Sequence, residues 1–174
     1  GEDPAKGGHY ITVWAPRQCG KTWIMREALQ TIRRDGRFDV GMISLQSAMS
    51  ITTDAEILEL FSRRVNRAFS KQLPPVSAWN QISQIFDASH FDRPAILIID
   101  EFDALAEDFI NKFANELRDI YLTRQTEIDK STHEQDCMLH GLALIGVRGV
   151  LGIENITGSP FNIQRSMPIP NLTH

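Results

Sequence analysis

Apolar residues fall along this chain in two kinds of pattern, and the two alternate. Tyr10 to Trp14 (YITVW) is a short apolar, β-branched run and reads as a strand. Behind Gly20, the positions Ile24, Met25, Ala28, Leu29 and Ile32 repeat with helical spacing, and Gly36 is a natural stop. Phe38 to Leu45 (FDVGMISL) predicts a second strand, interrupted by Gly41. Thr53-Asp54-Ala55-Glu56 is a capping-box pattern, and the helix behind it places Ile57, Phe61, Val65 and Phe69 on one stripe. Pro74-Pro75 breaks the chain, and a shorter helix is predicted from Ser77 to Ser89. Ala95 to Ile99 (AILII) is continuously apolar, as a strand buried on both faces of a parallel sheet is. A longer helix runs from Glu107 to Gln125 with Phe109, Phe113, Leu117 and Ile120 as its apolar stripe. Thr126 to Cys137 reads as a polar loop, Leu142 to Val147 (LALIGV) as another buried strand, and Phe161 to Ile169 as a last strand between Pro160 and Pro168. Strands alternating with helices predict an α/β three-layer sandwich around a mostly parallel sheet of about five strands.

Composition narrows this picture. The 174 residues make one domain spanning 1–174, with GEDPAKGGH (1–9) as a flexible leading segment. Acidic residues number 22 against 18 basic ones, a net charge of −4, which argues against a broadly basic nucleic-acid-binding domain. Cys19 and Cys137 lie far apart, so neither a disulfide scaffold nor a four-ligand zinc site is supported. The histidines show no metal spacing; His133 and Cys137 stand at i, i+4 but lack a second pair. No apolar run approaches the ~18 residues of a membrane span, and no signal peptide is visible, so a cytoplasmic protein is expected.

Chemistry enters directly after the first strand. Ala15-Pro16-Arg17-Gln18-Cys19-Gly20-Lys21-Thr22 has the strand–GxxxxGK[ST]–helix context of a phosphate loop, with Ala15 where the first glycine usually stands. In such a loop, backbone N–H groups from Pro16's successors through the helix start cradle phosphate oxygens, and Gly20 keeps the concavity free of a Cβ. The nucleotide-binding set is therefore Pro16, Arg17, Gln18, Cys19, Gly20, Lys21 and Thr22, with Lys21 supplying charge to the outer phosphates and Thr22 a hydroxyl to Mg²⁺. The AILII strand ends in Asp100-Glu101. An aspartate there can hold Mg²⁺ and a following carboxylate can deprotonate an attacking water, whereas two acids that merely cap the next helix are the plainer alternative. Asp103 reads as a helix-start acid. Arg148, after LALIGV, is placed to face a γ-phosphate or is simply a surface arginine after a strand. Adjacent Asp and Glu favour an ATPase sheet with an additional strand between the phosphate-loop strand and the acidic strand: Phe38 to Leu45 would lie at the edge and LALIGV would be the insert. No Asn-Lys-x-Asp guanine-reading motif exists; Asn111-Lys112 continues into Phe113-Ala114 within a helix. Trp14, Trp23 and Trp79 read as core or adenine-side packing. Arg33-Arg34 and Arg63-Arg64 read as solvated helix faces, from which the sequence selects no arginine finger.

APRQCGKT, AILIIDEFDAL, the helix with ELRDIY, LALIGVRGV and GSPFNI occur in an order that resembles bacterial AAA-like ATP-binding proteins, relatives of the archaeal-type and signal-transduction ATPases, over roughly residues 10–173. The resemblance matches Lys21 and Thr22 to Walker A, Asp100 and Glu101 to Walker B, and Arg148 to the γ-phosphate-sensing arginine of the signal-transduction relatives. It implies ATP and ADP as ligands, Mg²⁺ as cofactor, and a helical lid that would begin near His174, where this sequence stops; downstream domains of that kind would bring a homo-oligomer or a protein partner. The expected reaction is Mg²⁺-dependent ATP hydrolysis with Glu101, Lys21 and Arg148 as the catalytic set. A nucleotide-gated assembly switch with little turnover is the alternative, and a small-molecule kinase would need an acceptor site and an arginine-bearing lid, neither of which is visible.

Overall fold

The computed structural model describes residues 8–14, 20–131, 134–146 and 167–168; of Trp14, Lys21, Met167 and Pro168 it describes the backbone. Five parallel strands are present: β1 (Tyr10–Trp14), β2 (Asp39–Ser44), β3 (Ala95–Asp100), β4 (Leu139–Gly146) and β5 (Met167–Pro168). Their order is β2-β3-β4-β1-β5, so β4 is inserted between the acidic strand and the strand before the phosphate loop, and β2 takes the edge. Among the described residues four α-helices accompany them: α1 (Lys21–Asp35), α2 (Asp54–Phe69), α3 (Ile82–Ile85) and α4 (Glu107–Thr126). The chain has a three-layer α/β fold around this parallel sheet.

The apolar stripes decide the layers. Leu29 of α1, with Met25 and Ile32, packs on Val13, Val40, Ile98, Ala143 and Ile145, one face of the sheet. Residues of α2, α3 and α4 pack on Tyr10, Ile43, Leu97, Ile99, Leu142 and Leu144, the other face. Alternate strand residues thus serve opposite layers, and both are closed by helices, which is why β3 and β4 read as continuous apolar runs. Gly20 and Gly36 flank α1 with φ of 80° and 75°, conformations that favour glycine at both ends. Thr53 caps α2 as its sequence predicts: its hydroxyl accepts from the Glu56 N–H at 3.4 Å and donates to the Glu56 carboxylate at 2.8 Å.

Three expectations change. The helix over Ser77 to Ser89 is a 3₁₀ turn (Trp79–Gln81), the single-turn α3 and another 3₁₀ turn (Ala88–His90). Gln81 Oε1 caps the first of these turns by accepting from Ser77 and Ala78 N–H, while Asp87 accepts from Ser89 N–H and Phe86 C=O accepts from Met138 N–H, which tie the end of the segment elsewhere. β4 starts at Leu139, three residues early, because buried His140 and the small Gly141 fit a two-sided core that their polarity and size conceal in sequence. Within the segment expected to be flexible, Gly8 is buried against the His140 carbonyl, and the His9 carbonyl accepts from Leu142 N–H at 3.1 Å.

The α4 stripe continues one step past Ile120 to Arg124, which is 1% exposed. Its guanidinium donates to the Cys137 carbonyl at 2.6 Å and lies 3.4 Å from His140 Nδ1. The following segment is less of a polar loop than its composition suggests. Burial pushes the Glu127 carboxyl up, but N–H donation from Cys137 and Asp136 and the Lys130 ammonium outweigh it and hold the group below the usual carboxylate range. This buried polar knot ties the end of α4 to the start of β4. Cys137 is buried beside β4, as its small apolar character predicts, and burial pushes its thiol up.

Candidate functional site

The site forms where the C-terminal end of β3 meets the start of α1. Parallel pairing sets Ser44 opposite Asp100, and the Leu45 N–H donates to the Asp100 carbonyl at 3.0 Å, so the ends of β2 and β3 are level. Asp100 is buried, with one carboxylate oxygen accepting the Glu101 N–H at 2.9 Å. Its other oxygen lies 3.5 Å from the Thr22 hydroxyl. Glu101 leaves the strand in the left-handed conformation, φ 56° and ψ 39°, which costs an L-residue about 1–2 kcal/mol. That turn ends the strand's alternation and starts a 3₁₀ turn, Phe102–Ala104. Phe102 anchors it in the core, and Asp103 is the acid of its first turn. The Glu101 carboxylate is held by Ser44, whose hydroxyl donates to Oε2 at 2.6 Å. Ser44 also accepts from Gln46 N–H at 3.2 Å, so the loop leaving β2 is joined to the same group.

The oxygens of Thr22 and Asp100 suit a hard divalent cation. Among the described residues no group of three or more His, Cys, Asp or Glu could hold a metal. A cavity of about 290 Å³ between the 3₁₀ turn Gln46–Ser50 and α2 is lined by Ser47, Ile51, Glu56, Glu59, Leu60 and Arg63 and includes none of these groups.

Of the residues that the sequence singles out, the fold brings together Thr22, Asp100 and Glu101, with Gly20 at the helix start. Pro16, Arg17, Gln18, Cys19 and Arg148 lie outside the described residues, and Lys21 is described as the first residue of α1. Ser44 is the residue that sequence reasoning misses. It is an ordinary strand-end serine until parallel register sets it beside Asp100 and Glu101. Trp79 is core packing, against Phe109 and Phe113. Trp23 is not: it is 68% exposed, since α1 buries the opposite stripe. Arg33 is not a purely solvated residue either, because it donates to the Val40 carbonyl of β2 at 3.1 Å, whereas Arg63 pairs with Glu59 on the exposed face of α2.

The profile of the AAA domain matches residues 5–150, most of the chain and all of the elements that build this site. The chain belongs to the AAA domain family. An AAA domain of this kind is a nucleotide-binding P-loop ATPase module. Among curated proteins none matches it. Solved structures similar to this AAA domain include Drosophila ORC bound to DNA (13% identity, TM-score 0.48) and Drosophila ORC bound to poly(dA/dT) DNA and Cdc6 (12% identity, TM-score 0.49). The alignments cover 96% and 95% of this chain but 38% and 26% of those chains. Among the described residues no helix is long and apolar enough to cross a membrane.

Proposed function

We propose that this AAA domain binds ATP at the start of α1 and hydrolyses its β–γ bond with Mg²⁺. The observation that carries the reading is the approach of the Thr22 hydroxyl to the Asp100 carboxylate, 3.5 Å apart although 78 residues separate them in sequence. These two groups would hold Mg²⁺, which supplies charge neutralisation at the phosphates when bound. Lys21 and the backbone N–H groups of the loop over 17–20 hold the phosphates. Glu101 accepts a proton from the attacking water, and Arg148 contacts the γ-phosphate. ADP is the product. Assembly with a second copy or a protein partner is part of the proposal.

A second reading, a nucleotide-gated switch with rare turnover, is favoured by the Ser44 bond: one oxygen of the proposed base is already held at 2.6 Å by a hydroxyl donor. Calorimetry and phosphate release separate the two. Lys21→Ala abolishes or greatly weakens Mg–ATP binding. Glu101→Gln leaves ATP affinity within a few-fold while hydrolysis falls by ~10²-fold or more, the scale of a lost general base. Asp100→Asn weakens Mg²⁺-dependent binding as well as turnover. Wild-type hydrolysis in Glu101→Gln would remove that residue as the base. Wild-type turnover below ~0.01 per second, with ATP-dependent assembly, favours the switch.

A further inference from the structure

β2 ends the sheet on its side, and among the described residues β3 is the strand that pairs with it. The bonds to β3 fix which backbone groups are used. Asp39 N–H donates to the Pro94 carbonyl and Leu45 N–H to the Asp100 carbonyl, so the odd-numbered residues face β3. By strand alternation, Val40, Met42 and Ser44 turn their N–H and C=O groups to the outer edge. Arg33 marks that edge: from α1 it donates to the outward Val40 carbonyl at 3.1 Å.

A basic rim follows the same edge. Arg64 of α2 donates to the Ser47 hydroxyl, just past the end of β2, at 3.3 Å. Lys71, just past the end of α2, lies 3.7 Å from the Asp39 carboxylate at the start of β2, and Phe69 covers Gly41 between them. The second half of α2 therefore runs along β2 from its end to its start, carrying Arg64, the exposed Arg67 and Lys71 beside it. Arg93 closes the lower end, donating to the Gly36 carbonyl at 2.7 Å and to Asp39 at 2.6 Å. Asp39 is the carboxylate held among these cations, and Lys71 and Arg93 share it. Among the described residues Arg33, Arg64 and Arg67 pair with no carboxylate, while Asp35 is turned to Arg37. The edge is thus strongly basic in a chain whose net charge is −4.

We propose that the outer edge of β2 docks an extended acidic segment of a partner protein as an added strand. The segment's backbone pairs with Met42 and Ser44, and its acidic side chains, projecting from alternate positions, reach the cations along α2. The edge of a second copy is the wrong occupant, because two such basic rims repel. Phosphodiester oxygens would meet the cations but only accept, which leaves the Met42 carbonyl without a donor.

The test titrates the full chain, by fluorescence anisotropy, with an alternating Glu–Thr peptide of about ten residues. Comparison ligands are its Lys–Thr counterpart, the Glu–Thr peptide N-methylated throughout its backbone, and single-stranded oligothymidylate. Amide exchange read by NMR reports on the edge itself. The Glu–Thr peptide binds and slows exchange of the Met42 and Ser44 N–H groups, and the Lys–Thr peptide does not. N-methylation and Arg67→Glu each weaken binding roughly ten-fold or more, Arg67→Gln weakens it less, and added salt weakens it further. Arg67 is exposed, so thermal melts of both variants stay close to the wild type. Failure of the Glu–Thr peptide to bind overturns the proposal. Equal affinity for the N-methylated form, without protection at Met42, shows contact by charge alone and overturns the added strand. Tighter binding of oligothymidylate that is lost in Arg67→Glu overturns it by assigning the rim to nucleic acid.

Discussion

Gly41 gives a measure of how closely the edge of the sheet is packed. It lies in β2 where the end of α2 crosses it, and a Cβ built on it meets Phe69 ring atoms at 2.8, 2.9 and 3.1 Å. Ordinary carbon contacts are about 3.5–4.0 Å, so in Gly41→Ala the ring must retreat by about 0.5–1 Å. It has little freedom to do so. Phe69 packs edge-on against Phe91 at 5.2 Å, and Phe91 stacks on Phe86 and lies beneath the Lys71 ammonium at 5.0 Å. Overpacking of this kind costs about 1–3 kcal/mol. Alanine recovers about 0.5–1 kcal/mol over glycine in a strand. The midpoints of these ranges leave a net loss of about 1 kcal/mol, or a fall in Tm of roughly 2–5 °C at this chain length. Thermal and urea unfolding of Gly41→Ala, alone and with Phe69→Leu, measure it. In the Phe69→Leu background the clash is gone, and alanine becomes neutral or stabilising. Gly41→Ala as stable as the wild type, or an equal loss in both backgrounds, would refute the reasoning.

The buried knot at the other end of the sheet has a pH signature. The Glu127 carboxyl is held low in the folded state, so its contribution is present above the unfolded carboxylate value near 4.5 and is lost as pH falls through the folded value. Unfolding measured between about pH 6 and pH 3 should show a shallower acid loss in Glu127→Gln than in the wild type, with lower stability at neutral pH; parallel curves would count against this role. Native thiol labelling offers a further check. Cys137 is 8% exposed and its thiol is pushed up by burial, so labelling of the folded protein should report on Cys19. Mg–ATP should slow that labelling, and equal rates with and without nucleotide would move Cys19 away from the phosphates.

What a single sequence determined here is local. The GKT before an amphipathic helix, the AILII run ending in Asp100-Glu101, the Thr53–Glu56 capping box and the stripes of α1, α2 and α4 all depend on neighbours within a few turns of chain. Even the inserted position of β4 follows from them once adjacent Asp and Glu indicate the sheet type, and the observed order β2-β3-β4-β1-β5 agrees. What only tertiary structure decided is register and competition between distant groups. Ser44 joins the site because parallel pairing levels it with Asp100, a relation across 56 residues that no local pattern encodes. Glu101 turns left-handed where strand alternation alone predicts an opposed side chain. The helix expected over Ser77 to Ser89 is broken up where Asp87 and the segment before β4 claim its backbone groups. Nothing local marks Arg124 and Glu127 as buried, because their partners, Cys137, Asp136 and His140, are supplied by the next element. Periodicity records which side of an element is apolar; it does not record which polar groups will find partners once two elements meet, and a buried charge is stable only where such partners are found.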